Sequence, residues 1–73
     1  SGREERELQK RLRSLERKIA KLDKDAKGVD QQLAAVADAG EAQRLHRERA
    51  RLAAEIEALE HRWLETSHEL ESA

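Results

Sequence analysis

The sequence contains three histidines and many carboxylates, whose side chains could bind a metal ion or take part in catalysis. His61 and His68 lie seven residues apart, with Glu57 and Glu65 near them on the same side of a helix. Imidazole and carboxylate groups are zinc ligands, but a structural zinc site needs four of them in a tetrahedral array, and one exposed helix face cannot supply that. We therefore expect no metal site in this chain, and no cofactor.

The sequence also lacks the motifs on which enzymes depend. It has no cysteine, which excludes a thiol nucleophile, a disulfide and a zinc finger. It contains no glycine-rich phosphate loop, no nucleophile elbow and no HExxH motif. A carboxylate becomes a general acid or base through burial or coupled neighbours, and two paired helices have no cleft to provide them. We predict a non-catalytic chain.

Basic residues are the more informative chemical group. Arginine and lysine occupy the outward heptad positions of the first half of the chain, with Glu7 as the only acid among them. At the helical rise of 1.5 Å per residue, this basic stripe is about 30 Å long. A second basic cluster follows in the other half, near the turn. The predicted nucleic-acid-binding residues are Arg6, Lys10, Arg13, Arg17, Lys21, Lys24 and Lys27 in the basic stripe, and Arg44, Arg47 and Arg51 in the second cluster.

Two interpretations of these charges stay open. A basic stripe is typical of proteins that contact a phosphate backbone, but a charged outer face is also what any soluble coiled coil needs. The scarcity of acids among these positions, where Glu7 is the only one, favours binding slightly. No aromatic residue lies among the basic ones, so we expect contact with phosphates or duplex shape and no base stacking. Residues 55–71 hold six glutamates against Arg62 alone, so the net charge of −1 conceals a dipolar molecule.

Two seams of apolar residues position these charges. The first alternates steps of four and three residues from Leu8 to Val36, and the second does so from Ala42 to Leu70. Such a seam predicts a long helix that packs on a partner helix. The composition agrees, because 42% of the residues are charged and proline is absent, which is a profile of long solvated helices.

The link between the two seams is short. Asp38 followed by Glu41 is a capping-box pattern for a helix start, and Gly40 can take the left-handed conformation that often ends a helix. So short a link forces the helices to lie antiparallel as neighbours. The sequence therefore predicts an all-α, antiparallel two-helix coiled-coil hairpin, in one domain over residues 1–73, with a helix at about 4–37, a turn at about 38–40 and a helix at about 41–71.

The position of the turn predicts which residues face each other. A turn centred near Ala39 makes the numbers of facing core residues sum to about 78, so that Leu15 meets Trp63. We interpret Trp63 as the large core residue over Leu15; the alternative is an anchor against a neighbouring domain, with Leu64 beside it at an outward position. Arg49, which interrupts the second seam, is interpreted as a snorkelling side chain whose stem packs on Val29.

Residues 60–66, Glu-His-Arg-Trp-Leu-Glu-Thr, follow this charged leucine hairpin and resemble the C-terminal coiled-coil domain of ABC-F ATP-binding-cassette proteins. In that family the domain often begins with a basic, leucine-spaced helix, as residues 12–22 do here. It typically ends with a helix that carries a Glu-x-Trp-like signature, close to Glu60 and Trp63 here. The resemblance implies an appendage on a tandem ATPase that acts on ribosomes or nucleic acids. The hairpin would then contact DNA or ribosomal RNA, while the ATP-binding motifs lie outside this chain.

The expected partners are therefore nucleic acid and the rest of the parent protein. The alternative is a protein-interaction or spacer coiled coil, which docks or self-associates through its alanines. Those alanines are Ala34, Ala50, Ala53, Ala54 and Ala58. We expect a monomer, with weak homodimerisation under the alternative. No apolar run approaches the roughly 18 residues of a membrane span and no signal peptide is recognised, so we expect no membrane contact and a cytoplasmic setting.

Overall fold

The computed structural model describes all 73 residues, Ser1 to Ala73, and contains two α-helices and no strand. Helix α1 spans Gly2–Ala35 and helix α2 spans Ala39–Ser72, each with 34 residues. The helices pack against each other along a rod of 56 × 14 × 11 Å. The predicted all-α helical hairpin is confirmed. Neither helix has a segment that is both long and apolar enough to cross a membrane.

Side-chain caps set where both helices begin. The Ser1 hydroxyl accepts a hydrogen bond from the backbone N–H of Glu4 at 3.4 Å, at the start of α1. The Asp38 carboxylate accepts one from the backbone N–H of Glu41 at 2.8 Å, at the start of α2. These bonds satisfy backbone donors that have no partner inside the helix. Asp38 is therefore the N-cap that the capping-box pattern indicates.

The connection between the helices differs from the expected one. Gly40 lies inside the first turn of α2, and no residue in the chain has a positive φ, so the expectation of a left-handed glycine at the turn is wrong. The reason is the cap itself: with Asp38 as N-cap, α2 already begins at Ala39 and the link falls at residues 36–38. Val36 and Asp38 make the reversal in extended backbone, with φ/ψ of −77°/138° and −81°/126°.

The buried core lies toward the turn. Ala26, Val29, Leu45 and Leu52 form one cluster, and each is no more than 8% exposed. Four half-buried residues pack against that cluster: Leu22, Leu33, Val36 and Ile56. All eight lie on the predicted seams. We call residues 22–56 the turn half, and residues 1–21 with 57–73 the open half; Leu15 is the only buried residue of the open half.

Hydrogen bonds between two pairs of side chains join the helices and show their register. Arg49 donates from Nε to Asp30 Oδ1 at 2.8 Å and from Nη2 to Asp30 Oδ2 at 3.3 Å. The indole N–H of Trp63 donates to Glu16 Oε2 at 3.3 Å. In both pairs the residue numbers sum to 79, which agrees with the predicted register to within one residue.

Candidate nucleic-acid interface

The basic stripe lies on the side of α1 that faces away from α2. All seven of its residues are exposed. At 3.6 residues per turn, six of the seven fall within an arc of roughly 80°, opposite the apolar seam, and Lys27 lies just beyond the edge of this arc. No acidic residue of α1 lies within the same arc. The heptad spacing therefore produces one continuous cationic face.

Most cations of the basic stripe have no partner within the hairpin. Lys21 is the exception, since its Nζ lies 2.9 Å from Asp25 Oδ2. The other six residues have no carboxylate oxygen within 4.0 Å. Their charges are compensated only by solvent and mobile counterions, which a phosphate backbone can displace.

The second cluster, in contrast, is largely neutralised by α2 itself. Arg44 pairs with Glu41, three residues before it. Arg51 pairs with Glu48 at 2.6 Å and with Glu55 at 2.9 Å. Donating hydrogen bonds to these carboxylates raises the pKa of both guanidinium groups, and the direct charge attraction adds to the effect. A phosphate would have to compete with these carboxylates for the two arginines.

The structure therefore divides the ten predicted residues by how available they are. The unpaired ones are Arg6, Lys10, Arg13, Arg17, Lys24, Lys27 and Arg47; the paired ones are Lys21, Arg44 and Arg51. The second cluster also lies on the other helix, near the turn, and faces away from the seam of α2. The two sets do not form one face, and the basic stripe is the candidate interface.

Arg49, which we expected to snorkel with its stem on Val29, also has a partner on α1. It is half-buried and forms a two-hydrogen-bond ion pair with Asp30 across the seam. The hydrogen bond to Asp30 raises the pKa of Arg49, against a smaller opposing effect of desolvation. The signal was present in the sequence, because the predicted register places Asp30 beside Arg49.

Trp63 is half-buried between the two helices, and Leu15, over which we expected it to pack, is buried at 5% exposed. A groove of about 320 Å³ opens beside its ring, between the two helices. We call it the tryptophan groove; its lining residues are Glu16, Ile19, Ala20, Asp23, Glu60 and Trp63. Sequence reasoning missed this groove because it treated every seam layer as closed.

The three histidines are all exposed. His61 Nδ1 lies 3.4 Å from Glu65 Oε1, one helical turn along α2. Nowhere does the chain bring together three or more histidine, cysteine, aspartate or glutamate side chains in a way that could hold a metal ion.

A two-helix hairpin with a cationic outer face defines this molecule as a coiled-coil domain. Comparison with known families then places it: the family model described as ABC transporter C-terminal domain matches residues 3–68, almost the whole chain. The chain belongs to this family, a C-terminal domain of ABC transporter-type proteins, which confirms the resemblance to ATP-binding-cassette proteins. No curated protein and no solved structure matches the chain.

Proposed function

We propose that this hairpin is a non-catalytic domain of an ABC-F-type ATPase and contacts nucleic acid, DNA or ribosomal RNA, through the basic stripe on α1. The observation that carries the proposal is the set of seven exposed cations on the outward side of α1, six of which have no carboxylate partner. Membership of the ABC transporter C-terminal domain family supports attachment to an ATP-binding-cassette protein. The Glu60 and Trp63 signature supports the ABC-F type.

The stripe would act on the phosphate backbone. Duplex DNA carries one negative charge per roughly 1.7 Å of helix axis, so a straight cationic face about 30 Å long meets several phosphates. Each contact releases condensed counterions, which is the main source of affinity for such a surface. The only aromatic residue, Trp63, lies on α2 and away from the stripe, so base stacking has no platform there. Binding would therefore depend little on sequence.

The decisive test is the salt dependence of binding to a short DNA duplex and to a structured RNA. The stripe variant replaces Arg13, Arg17 and Lys24 with glutamine, which removes three unpaired cations and keeps the side chains polar. If all three contact phosphates, the slope of log affinity against log salt becomes shallower by about 2.7 on duplex DNA. Titrations of both chains at several salt concentrations measure that difference.

A matched control removes the same charge elsewhere. Arg11, Lys18 and Arg62 are exposed and line a different groove, on the flank of the hairpin beside Glu65 and Glu69. Their replacement by glutamine lowers the net charge by the same three units and should leave the salt slope close to that of the parent chain. The proposal would be contradicted if the salt slope became equally shallow in both variants, or if the parent chain did not bind at low salt. Circular dichroism checks that both variants stay helical.

A second candidate function, protein docking or self-association, is favoured by Leu64. It is the one large hydrophobic residue that is strongly exposed, at 48%, and the alanines of the alternative interpretation are exposed as well. If this face mediates self-association, sedimentation will show a concentration-dependent dimer that Leu64→Ser weakens. A monomer at every concentration argues against the self-association form of this candidate.

A further inference from the structure

The tryptophan groove has an apolar floor and an acidic rim. Ile19 and Ala20 of α1 and Trp63 of α2 form the floor, in the open half of the hairpin. The remaining lining residues are the carboxylates Glu16 and Asp23 from α1 and Glu60 from α2. One groove is thus lined by a half-buried tryptophan and by three acidic residues contributed by two helices.

None of these three carboxylates has a cationic partner in the hairpin. No lysine, arginine or histidine nitrogen lies within 4.0 Å of Glu16, Asp23 or Glu60. The one hydrogen bond that Glu16 accepts comes from the indole N–H of Trp63. Elsewhere in the hairpin several carboxylates do pair with cations: Asp25, Asp30, Glu41, Glu48 and Glu55. Beyond ion-pair distance, the charge of Asp23 also acts on Arg49. Like charges around one groove repel one another, and a cation in the groove would relieve this.

The groove on the opposite flank is lined by both signs of charge. Arg11, Lys18 and Arg62 lie there together with Glu65 and Glu69. The lining of the tryptophan groove contains carboxylates and no cation. A basic ligand therefore suits the tryptophan groove better than the groove on the other flank.

We propose that the tryptophan groove binds an arginine side chain from a basic segment of another protein. A guanidinium group stacks on the face of a tryptophan ring and donates forked hydrogen bonds to carboxylates. Its aliphatic stem would cover the apolar surface of Ile19 and Ala20. Arginine suits the site better than lysine, because the guanidinium group is planar, more weakly hydrated and able to bind two acceptors at once.

A second copy of this chain is the less suitable source of that arginine. The unpaired arginines of the basic stripe lie on a different face from the groove. Insertion of a stripe arginine into the groove of the next copy would therefore be a head-to-tail contact, which makes rings or open chains of molecules. Such contacts would also cover the face proposed to meet phosphates. We therefore assign the arginine to another protein.

Trp63 is the only tryptophan in the chain, and there is no tyrosine, so its fluorescence reports the groove alone. The probe is an acetylated and amidated tetra-arginine peptide, titrated at low salt. Its neutral analogue, tetra-citrulline, has nearly the same shape without the charge. We expect a saturable change in Trp63 emission with tetra-arginine, a weaker response to tetra-lysine, and none with tetra-citrulline.

Two double variants test whether the groove carboxylates cause that binding. Replacement of Glu16 and Glu60 by glutamine should weaken tetra-arginine binding by about tenfold or more, since both charge-assisted contacts are lost. The matched control replaces Glu57 and Glu71, which are exposed and outside the groove, and changes the net charge equally. It should bind within about twofold of the parent chain. Equal weakening in both double variants, or unchanged binding in the first, overturns the proposal.

Sedimentation of the hairpin without peptide tests the source of the arginine. We expect the parent chain and the Glu16, Glu60 variant to sediment alike. Concentration-dependent oligomers that disappear in this variant would show that a second copy fills the groove, and would overturn the assignment to another protein.

Discussion

The turn half and the open half of the hairpin carry the same heptad seam, yet they pack it differently. Four of the five buried residues lie in the turn half and form one cluster. In the open half Leu15 alone is buried, Trp63 is only half-buried, and grooves run along both flanks between the helices. The stability of the hairpin should therefore come mainly from the turn half.

The two halves also differ in how many of their charged side chains form ion pairs. Ion pairs within α2 and the Arg49–Asp30 pair between the helices neutralise much of the turn half. In the open half most of the basic stripe and the rim of the tryptophan groove have no partner in the chain. Unpaired charge lies mostly where the packing is loosest. The turn half contains most of the buried core, and the open half carries most of the surfaces for which we propose partners.

The largest expected difference concerns leucine truncation. Leu52, at 2% exposed, is the most buried residue in the turn half, so Leu52→Ala should lower the free energy of unfolding by about 2–5 kcal/mol. Leu70 lies on the same seam in the open half and is only half-buried, so Leu70→Ala should lower it by about 1 kcal/mol. Urea denaturation followed by circular dichroism measures both. Equal losses would mean that the two halves contribute alike.

The two helix caps offer the next largest contrast. Asp38→Ala removes the 2.8 Å cap of α2 at the turn and should lower the free energy of unfolding by about 1 kcal/mol. Ser1→Ala removes a longer, 3.4 Å bond at a terminus, where helices fray, and should lower it by only about 0.2 kcal/mol. Thermal denaturation of both variants tests this order, and a larger effect at Ser1 would reverse it.

Glycine replacement should stabilise the hairpin at one position. A Cβ built at Gly28 meets no atom within 4 Å, so Gly28→Ala should raise the free energy of unfolding by about 0.5–1 kcal/mol through helix propensity. The control is Gly40→Ala, whose Cβ would lie 3.3 Å from the Asp38 carboxylate that caps α2, so its gain should be smaller. A loss of stability at Gly28 would show that the glycine is needed there.

The smallest effect is expected on acidification. Hydrogen bonds from Arg44 and Arg51 lower the pKa of Glu41 and Glu48 below 4.5 in the folded hairpin. Their contribution is therefore complete above pH 4.5 and is lost as the pH falls through the lowered values. A variant with Glu41→Gln and Glu48→Gln should lose less melting temperature than the parent between pH 6 and pH 3. An identical loss in both chains would mean that these pairs contribute nothing.

The fold could be predicted almost completely from the sequence, because the heptad seam dictates two long helices and a link of few residues leaves them one arrangement. The position of the link was harder to predict. Asp38 and Gly40, two residues apart, are both residue types typical of turns. Only the structure shows that Asp38 is the N-cap, so that Gly40 lies inside α2.

The candidate interface could be predicted only in part. The face of α1 on which the basic stripe lies follows from helical periodicity, and the structure places it there. Whether each cation is available depends on side-chain geometry, so the loss of Arg44 and Arg51 to ion pairs was not foreseen, although glutamates three and four residues away were visible. The tryptophan groove could not be predicted, because a seam pattern does not show where a large ring leaves a layer open.

Chemical-shift mapping of the isotope-labelled hairpin with a short DNA duplex at low salt would locate the binding face residue by residue. The perturbed resonances should belong to the outward face of α1 between Arg6 and Lys27, and they should return to their free positions as salt is added. The core cluster of the turn half should stay unperturbed. Perturbations centred on α2, or no perturbation at any salt concentration, would contradict the proposed interface.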